Sequence, residues 1–107
     1  NAYSNAGADA ILIHSKEKKP DQIFRFAKIF RKSKFYKPMI AVPSTYSKTY
    51  EKELIKNGFK VVIYANQLLR AAYPQMLKTA EQILKNGRAY DAEKSISPIK
   101  DVLNLIK

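Results

Sequence analysis

His14 and Ser15 stand directly after an unbroken apolar run, Ala10-Ile11-Leu12-Ile13, and are the first residues of the chain whose types suit chemistry. A neutral imidazole donates one N–H and a protonated one donates two, so His14 is equipped to hold a phosphoryl or carboxylate oxygen. It is equally a histidine that hydrogen bonds could satisfy at a strand end. Ser15 fits a loop cap better than a nucleophile, because the chain has one histidine and no second to activate a hydroxyl. The pattern recurs twice: Ser44-Thr45 follows Met39-Ile40-Ala41-Val42-Pro43, and Asn66 follows the run from Lys60 to Tyr64. Both tips can line a pocket. Turn chemistry is the ordinary alternative for Ser44 and Thr45, and satisfied backbone groups the alternative for Asn66. The candidate substrate-binding residues are therefore His14, Ser44 and Asn66. Lys16, Lys18 and Lys19 follow His14 and either raise the local positive potential or form a solvated charged loop.

Several chemistries are excluded. The chain has no cysteine, hence no disulfide, thiolate nucleophile or zinc–thiolate site. Its acids show no metal-ligand spacing. Three glycines lie far apart, so there is no glycine-rich phosphate loop. Phe26 and Phe30 have helical core spacing, and Phe24, Phe35 and Tyr36 lack the alternation of a base-stacking strand. No apolar run approaches the roughly 20 residues of a membrane span. No leader pattern is present, and the expected setting is cytoplasmic.

The polar tips need a scaffold that brings strand ends together. Residues 1–7 read as the end of a helix, with Gly7 at a position of positive φ. Strands are expected at 10–14, 39–42 and 60–64; the first, apolar without alternation, should be covered on both faces. Pro20-Asp21 opens a helix to about residue 32, with Ile23, Phe26, Ala27 and Phe30 on one face. Ser47 or Thr49 should cap a second helix ending at Asn57, with Gly58 as the stop. A long helical pattern from Gln67 to Asn86 carries Leu69, Ala72, Met76, Ala80, Ile83 and Leu84 on one side. Pro74 should kink or divide it, and Gly87 should end it. Residues 88–96 read as irregular, and Ser97-Pro98 starts a final helix with Ile99, Val102, Leu103 and Ile106 on one face.

The order α–βα–βα–βα–α requires parallel strands joined by right-handed crossovers. Three strands alone leave two bare sheet edges. The fold class expected is α/β, the C-terminal three βα units of a (β/α)8 barrel plus a final helix. Such a barrel needs about 250 residues, and the chain starts at Asn1 without methionine, so a piece of a longer protein is expected. Residues 1–87 would belong to the barrel. Residues 88–107 would form a linker and a C-terminal helix whose apolar face must be buried, and a homo-oligomer in which this helix, or the one before it, packs on a neighbouring subunit is expected.

The formal charge is +11, of which +6 falls in the first 37 residues. Arg25, Lys28 and Lys32 share a helical face, which could be a nucleic-acid stripe or a solvated lysine-rich surface. The second is the reading adopted, so nucleic acid is not an expected partner.

Ala8 to Lys16, Pro20-Asp21-Gln22-Ile23-Phe24, Val42-Pro43-Ser44 and Val62 to Ala72 together resemble the C-terminal part of the phosphoenolpyruvate mutase family, within the isocitrate lyase superfamily. Ser97-Pro98-Ile99-Lys100-Asp101-Val102 is similar to that family's final helix. The resemblance implies a magnesium-dependent (β/α)8 barrel that interconverts phosphoenolpyruvate and phosphonopyruvate, the first step of phosphonate biosynthesis. It implies that the Mg²⁺ ligands, a catalytic aspartate and a closing loop lie outside this segment, which alone should be inactive. It places His14 at a substrate-contacting position and implies a C-terminal helix exchanged between subunits. The sequence departs from the family pattern at Ser44, where threonine is usual, and at Tyr64 and Gln67, where tryptophan and histidine flank Ala-Asn. Phosphonopyruvate hydrolases and carbon–carbon lyases of the superfamily share this half of the barrel and are the alternative reactions. A basic α/β module that binds nucleic acid is the alternative of another class.

Overall fold

The computed structural model describes residues 1–106; the side chain of Ile106, assigned above to the final apolar face, and Lys107 lie outside the described residues. The chain divides into two compact units, residues 1–65 and 66–107.

The first unit holds α1 (Ala2–Asn5), β1 (Ile11–Ile13), α2 (Asp21–Phe30), β2 (Met39–Ala41), α3 (Glu51–Lys56) and β3 (Phe59–Val62). The three strands form one sheet in the order β1-β2-β3, both pairs parallel. Leu12 lies opposite Ile40 and Ile40 opposite Val61, with a bulge in β3 that makes Lys60 the extra residue. The expected order and direction are thus observed.

The core sits on one side of this sheet. Ile23, Ala27 and Phe30 of α2 and Leu54 of α3 are buried with Met39, Ala41, Tyr46 and Phe59, and Ile11, Ile13, Phe24 and Val62 pack against them. On the α2 face Phe24 therefore takes the place expected of Phe26. Phe26 is partly exposed and instead sets its ring 5.2 Å from that of Phe30. The expectation that β1 is covered on both faces is corrected: Leu12 is 53% exposed and Val61 46% exposed. The reason is geometric, since alternate strand residues point to opposite faces and the core cluster lies on only one of them.

Local signals explain the element ends. Gly7 follows α1 with φ +100° and Gly58 follows α3 with φ +92°, a region glycine enters without a Cβ clash. At Gly58 an added Cβ would also lie 2.5 Å from Arg31 Cδ. The N-cap of α3 is Tyr50, not Ser47 or Thr49; Glu53 supplies the capping carboxylate, accepting the Tyr50 N–H at 3.2 Å.

The second unit holds α4 (Gln67–Asn86), α5 (Tyr90–Glu93), α6 (Ile99–Leu103) and a 3-10 turn (Asn104–Ile106). Of the two outcomes expected at Pro74, a division of the helix is not seen, and α4 runs through it as one 20-residue helix. A proline removes a single ladder donor, and helix-forming residues on both sides carry the rest. The stretch read as irregular contains α5, held by Arg88 Nε to Asp91 Oδ2 at 2.8 Å and by burial of Ala92. Gln75 donates to the Ser95 carbonyl at 3.0 Å, and the Ser95 hydroxyl donates to Gln82 at 3.3 Å, fastening the end of this stretch to α4. No residue of α4 is buried, and Ile99, Val102 and Leu103 of α6 are exposed.

Candidate functional site

Parallel strands put the residues that follow β1 and β2 at one rim of the sheet. The first of them, His14, is exposed and makes no hydrogen bond among the described residues, so both ring nitrogens are free. It closes a groove of about 350 Å³ along the open flank of β1, shared with Tyr3, Leu12 and Phe26.

Ser15, next in the chain, is buried and fully committed. Its hydroxyl donates to Gln22 Oε1 at 2.7 Å and accepts the Glu17 N–H at 3.1 Å. Its carbonyl accepts the Thr45 hydroxyl at 2.6 Å. Ser15 is the loop cap its sequence context suggested, and Thr45 is a latch between two rim loops 30 residues apart. Sequence reasoning missed that latch. The only signal is that both residues lie just past neighbouring strands, which becomes legible once the strand order is known.

Ser44 is half-buried, on a tight turn where its N–H donates to the Val42 carbonyl at 2.8 Å over buried Pro43. Its hydroxyl has no partner among the described residues, and neither has His14, so adjacent strand ends present two uncommitted polar side chains. Tyr46, two residues past Ser44, is buried, and its hydroxyl has no hydrogen-bond partner among the described residues. Burial pushes the Tyr46 phenol above the usual tyrosine range, and the Val42 backbone opposes this only in part. At the end of β3, Tyr64 donates to Glu51 Oε1 at 2.6 Å; that carboxylate raises the Tyr64 pKa.

Asn66 belongs to the second unit, where it is the N-cap residue of α4. Its N–H donates to Gln67 Oε1 at 3.2 Å and its carbonyl accepts the Arg70 N–H at 2.9 Å. Its carboxamide oxygen is buried with no partner among the described residues. The Asn66 side chain makes no capping hydrogen bond, so it does not satisfy the helix backbone groups.

No group of three His, Cys, Asp or Glu side chains among the described residues could hold a metal ion. None of the described helices is long and apolar enough to cross a membrane.

Residues 1–84 match the family model described as phosphoenolpyruvate phosphomutase. The chain belongs to that family. It is 36% identical over 104 residues to a phosphoenolpyruvate phosphomutase of Tetrahymena pyriformis, covering 97% of this chain and 34% of the relative. The crystal structure of a phosphoenolpyruvate phosphomutase from Streptomyces platensis subsp. rosaceus is similar with a TM-score of 0.78 and 39% identity, over 97% of this chain and 35% of that one. A phosphonopyruvate hydrolase in complex with oxalate and Mg²⁺ is similar with a TM-score of 0.77 and 32% identity, over 97% of this chain and 36% of that one. The phosphomutase-family chain therefore spans about a third of the length of these relatives.

Proposed function

We propose that this chain is the C-terminal portion of a (β/α)8-barrel enzyme that interconverts phosphoenolpyruvate and phosphonopyruvate. The observation that carries this reading is the free imidazole of His14 at the carboxyl end of a parallel strand, in a chain of this family. The rim at the carboxyl ends of the strands is where barrel enzymes hold their substrates. The apolar sheet face at Leu12, Ile40 and Val61 supports the same reading, because the other strands of a barrel would cover it.

In this proposal His14, Ser44 and Asn66 bind the substrate. His14 donates an N–H to a phosphoryl or carboxylate oxygen, and the Ser44 hydroxyl offers a second donor. Asn66 contributes a carboxamide oxygen that has no partner among the described residues. Their work is to fix the anion against the charge that develops during transfer. The Mg²⁺ of the related hydrolase structure supports a magnesium requirement. The described residues do not fit the ion, so its ligands are proposed outside this segment. Residues 1–87 are proposed as barrel and 88–107 as linker and terminal helix. The exposed apolar residues of α4 and α6 support a homo-oligomer in which these helices pack on a neighbour. Sedimentation of the full-length protein as a compact monomer would contradict that arrangement.

A second reading, phosphonopyruvate hydrolysis, is favoured by the 32% identity to the hydrolase. Phosphorus-31 NMR on the full-length protein with Mg²⁺ and phosphonopyruvate separates the two. A phosphoenolpyruvate resonance supports the mutase, whereas inorganic phosphate with pyruvate supports the hydrolase. Absence of both products removes the proposal. In either case His14→Ala should lower kcat by about a hundredfold to a thousandfold, the range for losing one donor to a developing anion.

A further inference from the structure

The rim carries a second feature that the proposed reaction does not use. Lys18 and Lys19 of the loop after β1 line a hollow of about 370 Å³ with Thr45, Ser47 and Lys48 of the loop after β2. No acid lines it. On the other side of the first loop, Glu17 and Asp21 accompany Lys16, Lys18 and Lys19, so the positive charge there is partly balanced. The ion pair Arg88–Asp91 is the one found among the described residues, and none of these three lysines has a carboxylate within pairing distance. The lysines therefore share a hollow without a counter-ion.

We propose that Lys18, Lys19, Lys48 and Ser47 form an anion site for a small phosphoryl or phosphonate dianion, separate from the His14 site. Three lysines that line one hollow put like charges near one another, and a dianion between them replaces repulsion with attraction. The Ser47 hydroxyl has no partner among the described residues and supplies a directional donor. Thr45 does not donate to the anion, since its hydroxyl is spent on the Ser15 carbonyl. Its part is to hold the two loops at the spacing that brings Lys18 and Lys19 to Lys48. The hollow is small, and Glu17 and Asp21 lie on the far side of the first loop, which suits a small dianion over an extended nucleic-acid backbone. The residues around the first unit give the same sign: residues 1–65 carry thirteen basic and five acidic residues, against seven and four in residues 66–107.

The test is a titration of the isotope-labelled full-length protein with inorganic phosphate, followed through the amide resonances of Lys18, Lys19, Ser47 and Lys48. Sodium chloride at matched ionic strength is the control. Saturable shifts at these amides with phosphate, absent with chloride, are expected. Lys48→Gln, which removes the charge and keeps a polar side chain, should weaken phosphate binding about threefold to fivefold, as for loss of one exposed ionic contact. The double variant Lys19→Gln/Lys48→Gln should weaken it more than about tenfold. Exposed Lys→Gln changes leave the core intact, and Lys56→Gln on α3 serves as the charge-matched control, expected to bind as the parent does. Equal shifts with chloride, shifts that survive the double variant, or equal weakening by Lys56→Gln would each overturn the site. Tighter binding of an oligonucleotide than of phosphate, dependent on the same lysines, would overturn its assignment to a small dianion.

Discussion

Replacing Ser15 by alanine distinguishes a structural hydroxyl from a chemical one. The substitution removes two hydrogen bonds, Ser15 Oγ to Gln22 at 2.7 Å and the Glu17 N–H to Ser15 Oγ at 3.1 Å. The Thr45 latch stays, because it uses the Ser15 backbone carbonyl. Gln22 and Glu17 are exposed and can turn to water, so neither is left with the full penalty of a buried orphan. At about 0.5–1.5 kcal/mol for each bond, the loss amounts to about 1–3 kcal/mol. With a urea slope of about 1–3 kcal/mol/M, the midpoint falls by roughly 1 M at unchanged slope. Turnover, measured by product formation in the full-length protein, should stay within about tenfold of the parent, because His14 keeps its place just past β1. Removing an attacking group instead costs about 10⁴ or more in turnover. An unmoved midpoint together with a loss of that size would refute the structural assignment of Ser15.

Leu54→Ala should destabilise by about 2–5 kcal/mol in urea unfolding, since Leu54 is 0% exposed in the core. Ile55→Ala, one residue along α3 and 65% exposed, should change stability by no more than about 0.5 kcal/mol. Gly58→Ala should cost about 1–2 kcal/mol for a side chain at φ +92°, with Arg31 displaced, and a stability equal to the parent's would contradict the turn geometry. Burial raises the Tyr46 phenol pKa in the folded state, so its contribution is fully present below pH ~10 and is lost as pH rises through the folded value. Tyr46→Phe should leave stability near neutrality almost unchanged and flatten its fall above pH ~10. An alkaline limb as steep as the parent's would oppose that cause.

The strand order was readable because each apolar run is bounded by proline, glycine or a polar tip, and helices between strands enforce parallel pairing. What escaped the sequence has specific causes. On α2, Phe24 and Phe26 flank the same buried stripe, and only packing decides which of them meets the sheet. The α3 cap uses a carboxylate three residues inside the helix, so hydroxyl residues nearby misdirect the reading. Pro74 costs one donor, which a long helix can absorb. The positions of His14 and Ser44 just past β1 and β2 were legible from the apolar runs before them. The Ser15–Thr45 bond and the hollow at Lys48 depend on which loops the strand order makes neighbours, a fact no local pattern contains.

The uncovered face at Leu12, Ile40 and Val61 also bears on how this polypeptide must be handled. Produced by itself, the segment would offer an oily sheet with open hydrogen-bonding margins, which favours clumping and capture of hydrophobic dyes. Its positive charge slows that association at low ionic strength and ceases to do so as salt is added. Purification of the isolated segment should therefore succeed best in dilute buffer, and solubility should fall as salt rises.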